Sequence, residues 1–302
     1  MNLIDIASHQ AGMDLPGLFR QNPALDGVII KAGSGTGYVN PYFKGWADWL
    51  HANGKPLGAF HYCRELTAGP GTPEAEAKHF YDIIKPYIGS VVPAADFERD
   101  NSDALMMGTG WLKAFLDAFY KLSGVKPLVY CSQSVTQEHD FKAIAAAGYR
   151  LWMAQYADMN PVHGFVSSPW HKGSVAPFNG YVMQQYTSQG YLEGWGKNLD
   201  FDLFLGSTVD WADMAAGSTP APTPAPVPAG KKGPDPLVIN EVLKGVYGNG
   251  RERAARLNAA GYDADAVQRK VNELYGIALS CKKKLAGSED YLNSICWIVR
   301  SL

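Results

Sequence analysis

Short apolar runs recur along the first two thirds of the chain, and most of them carry a polar side chain at or next to their end: Asn2–Ile6, Gly27–Ala32, Pro56–Tyr62, the run that opens at Val91, and Lys126–Ser132. Runs this short and this apolar predict strands buried on both faces. Between them lie stretches of helical period. The segment Tyr42–Asn53 repeats Phe43, Trp46, Ala47 and Leu50 on one side, and Pro73–Ile84 and Met106–Leu122 are predicted to follow as helices. Strand and helix alternate, which predicts a parallel sheet, and the length of the alternation favours a closed barrel. After a short helix at Phe141–Ala147 the pattern changes. The strands Arg150–Tyr156, Gly180–Thr187 and Leu199–Leu205 are joined by connections without room for full helices. The predicted class is therefore α/β: an irregular TIM-like β/α barrel whose later strands lack full helices.

Beyond the barrel, assigned to residues 1–212, the chain changes character. Residues 213–236 form a linker whose core, Gly217–Pro236, alternates Pro and Ala and is expected to be extended and semi-rigid. Residues 237–276 hold three short helical patterns, VINEVLKGVY, RERAARLNAA and DADAVQRKVNELY. Gly261 is placed to cap the second and Asp263 to start the third, while Val267, Val271 and Leu274 make one apolar stripe. A unit of this size is near the lower limit for folding alone. The tail, residues 277–302, is expected to be helical, with Tyr291, Ile295, Trp297, Ile298 and Val299 giving it an apolar side that packs on its own module or on another copy of the chain. Cys63 and Cys131 read as buried thiols; Cys281 and Cys296 are spaced to pair across Gly287-Ser288 or to stay free.

Charge sharpens this picture. Residues 231–302 carry 12 Lys and Arg against 8 Asp and Glu, and residues 1–230 carry 15 against 21. An acidic front is joined to a basic tail, which suits an acidic cleft tethered to a module that meets an anionic surface; drift between two small surfaces gives the same numbers. The overall net charge of -2 argues against nucleic acid as a partner. No apolar stretch is long enough for membrane insertion. The opening MNLIDIASHQ enters a strand at once, so no Sec signal is expected and synthesis in the cytoplasm is.

Candidate chemistry gathers at Val91–Asp100, VVPAADFERD. Side chains on a strand alternate, so Asp96 and Glu98 are predicted to point the same way, with Cα atoms roughly 6.5 to 7 Å apart. Two carboxyls in one partly dry cleft raise each other's pKa and leave an acid beside an ionised partner, the pair that glycosidic cleavage requires. In a parallel barrel, function collects at the C-terminal strand ends, where Asp5, Lys31, His61, Asp96, Glu98, Tyr130, Trp152, Gln184 and Asp200 are expected. Singly, His61 or Trp152 is more often a satisfied core residue. Together, polar ends on most strands are hard to explain as packing. Zinc, nucleophile-elbow, P-loop and dinucleotide fingerprints are absent, so carboxylates are expected to carry the reaction without metal or cofactor.

The stretches IDIASHQ, VIIKAGSGTGYVNPYF, GAFHY, AADFE, LVYCS, LWMAQY, VMQQYTS and LDFDLF run in one order through about 210 residues and resemble glycoside hydrolase family 25. The resemblance implies a muramidase that cleaves the β-1,4 bond between N-acetylmuramic acid and N-acetylglucosamine, with Asp5, Asp96, Glu98 and Asp200 as its acidic set. Glu98 is expected to be the general acid and Asp96 its ionised partner. Lys31, His61, Tyr62, Tyr130, Trp152, Gln184 and Tyr186 are expected to bind substrate. The family usually has Asn where this chain has Asp202, which should face the same side as Asp200. The stretch GVYGNGRERAARLNAAGYDADAVQRKVNELY resembles the CW_7 repeat, which implies a wall-binding module with Gly248, Asn249, Gly250 and Arg253 as first candidates. Bacterial peptidoglycan is the expected partner, reached after release as a phage endolysin. An autolysin of the same activity, a chitinase-like hydrolase and a non-catalytic binder are the competing readings, and a homo-oligomer through the C-terminal region is the expectation attached to the tail.

Overall fold

The computed structural model describes residues 1–217, 235–248, 250–264 and 266–272. The chain divides into two compact units, Met1–Pro220 and Ala221–Leu302. The first begins with β1 (Asn2–Ile6), α1 (Leu15–Gln21), β2 (Gly27–Ser34), a short β3 (Tyr38–Val39), α2 (Phe43–Ala52) and β4 (Leu57–Tyr62). It continues with α3 (Pro73–Ile84), β5 (Val91–Asp96), α4 (Ala104–Ser123), β6 (Leu128–Ser132), α5 (Gln133–Glu138), α6 (Lys142–Ala146) and β7 (Leu151–Ala154). A short β8 (Val162–His163), β9 (Met183–Leu192), β10 (Trp195–Phe204) and α7 (Thr208–Ala215) complete it.

Eight of these strands close a barrel in the order β1, β2, β4, β5, β6, β7, β9, β10. Neighbours are parallel from β1 round to β9, while β10 runs antiparallel to both β9 and β1. The irregularity expected in the later strands takes this form: the parallel pairing implied by the earlier alternation ends at β10. Only the two residues Glu193-Gly194 separate β9 from β10, and a loop that short can join only antiparallel strands. Gly194 adopts φ 85° there, the left-handed region that glycine enters without a Cβ clash. Helices α1, α5 and α7 and the two short strands are additions to the predicted elements.

Strand alternation sorts the apolar residues into two layers. Leu3, Ile29, Phe60, Val92, Leu128, Trp152, Met183 and Phe204 pack inside the barrel. Trp211 and Ala215 of α7 join that cluster, and the Trp211 indole donates to the Leu57 carbonyl at the start of β4, 3.3 Å away. The N-terminal end of the barrel is thereby filled. The opposite faces, among them Ile4, Val28, Ala59, Ala95 and Val129, pack against Phe80 of α3 and Phe115 and Phe119 of α4.

One histidine–carboxylate pair is buried in this outer layer. His61, on the outward face of β4, lies 3.0 Å from Glu76 Oε2 of α3, and both side chains are fully buried. Burial pushes the His61 imidazole down from its ordinary value, more than Glu76 raises it. Glu76 also accepts the Arg64 N–H at 2.9 Å and the Gly71 N–H at 2.8 Å. Arg64 Nη2 in turn donates to Asp103 Oδ2 at 2.7 Å, and its Nη1 to the Gly71 carbonyl at 2.9 Å. These bonds fix the loop after β4, which carries Glu65 to the open end of the barrel.

In the second unit α8 (Pro236–Leu243) and α9 (Gly250–Ala259) precede helical residues 266–272. Val238, Ile239, Val242, Leu257, Val267 and Val271 form its core. Asp235 accepts the Val238 N–H and Asp263 the Ala266 N–H, so both side chains cap helix starts. Gly261 takes φ 83° after α9, as a cap requires. The core of the Pro/Ala linker, Asn249, Leu274, the cysteines 281 and 296 and the tail 277–302 lie outside the described residues.

Glu76→Ala removes the acceptor of one imidazole and two backbone N–H groups at once. It is expected to lower stability by about 3–5 kcal/mol, measured by urea denaturation.

Candidate active site

The filled bottom of the barrel leaves the other end to polar residues, and the strand register brings them side by side. Tyr62 of β4 pairs with Asp96 of β5, and Asp96 with Tyr130 of β6. Asp5 of β1 pairs with Asp200 of β10 across the antiparallel contact. Asp200 is therefore not at the C-terminal end of its strand, as the sequence reading placed it. Because β10 runs backwards, its sixth residue reaches the end where the parallel strands stop.

Hydrogen bonds tie the ring together. Gln185 of β9 donates to Asp5 Oδ2 at 2.7 Å, and its carbonyl oxygen accepts from the Tyr130 hydroxyl at 2.8 Å and from the Tyr156 hydroxyl. Trp152 Nε1 donates to Asp202 Oδ1 at 2.7 Å. Lys31 donates to Glu65 at 2.9 Å and lies 4.5 Å from the centre of the Tyr62 ring. Asp5, Asp96 and Asp202 are 7%, 6% and 0% exposed, while Glu98 and Asp200 are partly open to solvent. A ligand entering the cleft therefore meets Glu98 and Asp200 first.

Burial makes this a cluster that holds protons. It pushes Glu98 up to about 7, helped by Asp100 and Asp5 and opposed by Lys31. Asp200 rises to about 8 through burial and the charges of Asp5 and Glu98. Asp5 rises to about 6, with burial partly offset by hydrogen bonds from Gln185 and Asp202. Asp96 is raised well above the carboxylate range by burial and then by Glu98. The sequence reading has Asp96 ionised. Desolvation instead favours its neutral form.

The structure gathers Asp5, Lys31, Tyr62, Asp96, Glu98, Tyr130, Trp152 and Asp200 at one end, with Asp202 beneath. It does not bring three expected substrate residues there. His61 sits in the outer layer described above. Gln184 points outward and donates to the carbonyls of Gln155 and Trp170. Tyr186 packs with Phe201 outside the barrel, its hydroxyl accepting the Val166 N–H at 3.1 Å. Each is one residue from an inward-facing position, and one residue flips a strand side chain to the other face. Gln185, Tyr156 and Glu65 are site residues the sequence reading missed. The doubled QQ of VMQQYTS contained the signal for Gln185, since it lies two residues from the inward Met183. Trp152, 2% exposed, is floor and not wall.

In the second unit Arg253 donates to the Gly248 carbonyl and to Gln268, both at 3.0 Å. Its guanidinium thus holds the turn at Gly248, which precedes Gly250 at the start of α9. Among the described residues no group of three or more His, Cys, Asp or Glu is arranged to hold a metal ion, and no helix is long and apolar enough to cross a membrane.

Comparison with known proteins supplies the rest. The lysozyme of Streptococcus phage Cp-7 is 27% identical over 274 residues, 90% of this chain and 69% of that protein. The N,O-diacetylmuramidase of Chalaropsis sp is 28% identical over 142 residues, 43% of this chain and 65% of that protein. This chain thus spans about two thirds of the length of these relatives. A bacterial lysozyme from Streptomyces coelicolor has a similar fold, with TM-score 0.58 and 18% identity over 72% of this chain and 98% of that one. Residues 237–275 match the CW_7 repeat. Residues 4–195, well over half of the chain, match the glycosyl hydrolases family 25, and the protein belongs to that family.

Proposed function

We propose that the protein is a peptidoglycan hydrolase, an N-acetylmuramidase cleaving the β-1,4 bond between N-acetylmuramic acid and N-acetylglucosamine. The observation that carries this reading is the pairing, at the open end of the barrel, of a partly exposed Glu98 raised to about 7 with the buried carboxyls of Asp5 and Asp96. Glu98 holds its proton near neutral pH and gives it to the leaving glycosidic oxygen. Positive charge then develops at the anomeric carbon. Asp5, raised only to about 6, is ionised at neutral pH and attracts that charge more strongly as it develops than it attracts the neutral ground state. Asp96, beside Glu98, is assigned to orient the substrate N-acetyl oxygen or the water that bonds to the anomeric carbon as the leaving oxygen departs, and Asp200 stands at the same end. Lys31, Tyr62 and Tyr130 line the same end and are the residues assigned to substrate. A chitinase-like reading is not favoured: the similar proteins are lysozymes and muramidases.

The C-terminal unit is assigned to wall binding, with residues 1–212 as catalytic part, 213–236 as linker and 237–276 as module. The similarity to a phage lysozyme supports an endolysin that reaches the wall after release. Residues 277–302 are assigned to self-association, which multiplies wall contacts; light scattering of the full chain at micromolar concentration is expected to show more than a monomer.

Glu98→Gln keeps the shape of the side chain but has no proton to deliver, so lysis of purified walls is expected to fall by about 10²- to 10⁴-fold. In the wild type, activity should decline as pH rises through about 7, where Glu98 loses its proton. A pH profile that stays flat from 6 to 9 would contradict the assignment.

Residues 1–216 alone are expected to cleave soluble wall fragments but to lyse intact cells about tenfold less well when dilute, because tethering raises the local concentration of the cleft. Turbidity assays on cells and fragments, run in parallel, separate the two effects.

A further inference from the structure

At the base of the cleft Asp202 presents an unusual hydrogen-bond account. Its side chain is fully buried. Oδ1 accepts from Trp152 Nε1 at 2.7 Å, but Oδ2 has no donor pointed at it. Diagonally across the strand pair lies the Asp5 carboxyl, within side-chain hydrogen-bond reach. Two carboxylates cannot bond to each other, since an ionised carboxyl only accepts. A buried acceptor left unmade is costly. One proton on Oδ2 resolves both problems: Asp202 then accepts from Trp152 and donates to Asp5, and Asp5 has two donors, Asp202 and the Gln185 amide at 2.7 Å.

We propose that Asp202 is a positioning residue of this site, a carboxylic acid that donates its proton to Asp5 and holds that group, with Gln185, in its ionised form and fixed orientation. The surroundings support which of the two keeps the proton. Facing Asp202 are Asp5 on β1, Asp200 on its own strand and Tyr156 after β7, while Tyr186 of β9 lies on the other side of the wall. Asp96 at the end of β5, Glu98 two residues beyond it, Tyr130 of β6 and Lys31 of β2 stand round the same end. Lys31 acts on Asp96 and Glu98 and is itself engaged by Glu65. Burial and the charges of Asp5 and Asp200 all disfavour a negative Asp202, whereas Asp5 has the Gln185 donor.

The role of Asp5 rests on the muramidase reading, but the proton does not, and the experiment separates them. A group protonated in the folded chain and ionised in the unfolded one loses stability as pH rises above its unfolded value, about 3.9 for Asp. Asp202→Asn supplies a permanent donor and has no proton to lose. The unfolding equilibrium constant of the full-length wild type, divided by that of Asp202→Asn, is therefore expected to rise about tenfold per pH unit from pH 5 to 7. A ratio constant across that range means Asp202 is ionised in the fold and overturns the proposal. The second arm is kinetic. Asp202→Ala takes one donor from Asp5 and should move the acidic limb of kcat/KM on wall fragments upward by about one pH unit, with Asp202→Asn restoring it. Equal profiles for the two variants overturn the positioning role. The stability arm needs only wild type and Asp202→Asn, so a poorly folding alanine variant leaves it decisive. Absence of cleavage by the wild type would fail the muramidase reading and leave the stability arm standing.

Discussion

The structure depends on how a closed barrel tolerates several acidic side chains at one end. Moving a carboxylate out of water is costly unless it is paired, hydrogen-bonded or neutralised. Lys31 is shared with Glu65 and cannot pair with every carboxyl around it. The remaining compensation comes from neutral donors and retained protons. Gln185 and Trp152 each give an N–H to a buried Asp, and burial raises Asp5, Asp96, Glu98, Asp200 and Asp202 together. A cluster held in this way has protons available for transfer, which an array of tightly paired salt bridges would not.

That arrangement follows from one topological exception. In a wholly parallel barrel, a strand entering after β9 would need a long crossover to bring its C-terminal end to the cleft. The two-residue turn at Glu193-Gly194 instead sends β10 back beside β1, and the antiparallel register sets Asp200 opposite Asp5 and Asp202 one inward step deeper, opposite Leu3. Two carboxyls from one strand thus reach two depths of the same cavity. From the far side Asp96, the last residue of β5, and Glu98, two residues beyond it, do the same. Alternation on two strands of opposite direction is enough to build the acidic set.

This logic explains what could be read from the sequence. The pair Asp96 and Glu98 was legible because their spacing of two is independent of the strand's exact limits. The barrel was legible because its strands are apolar on both faces. Membership of the cleft at His61, Gln184 and Tyr186 was not, since a strand buried on both faces carries no polarity contrast to say which parity faces in. His61 illustrates the difficulty. Its polar character comes from Glu76 on α3, fifteen residues later, and only the packed structure shows that partner. Gln185 was hidden for the converse reason, because its three hydrogen-bond partners come from β1, β6 and the segment after β7. The direction of β10 was readable in the dipeptide Glu193-Gly194, but the strand limits of 187 and 199 drawn from apolar content concealed how short the turn is. In the small second unit, capping residues sufficed: Asp235, Asp263 and Gly261 mark helix ends by local chemistry that needs no tertiary partner.

The two buried acidic systems of the first unit show why position relative to the barrel wall matters more than burial. Glu76, outside the wall, meets His61 and two backbone N–H groups. Its demand for donors is met, and the result is a fixed loop. Asp96, inside the wall, is equally withdrawn from water, yet its Oδ1 has no donor, and Glu98 adds a like charge beside it. A satisfied carboxylate gains little from a newcomer. An unsatisfied one, next to an open cleft, is stabilised by whatever cation or polar group arrives. The same strand-to-helix layering that anchors the loop through Glu76 therefore holds Glu65 against Lys31 at the cleft and leaves the inner carboxyls at its open end without the donors that Glu76 has.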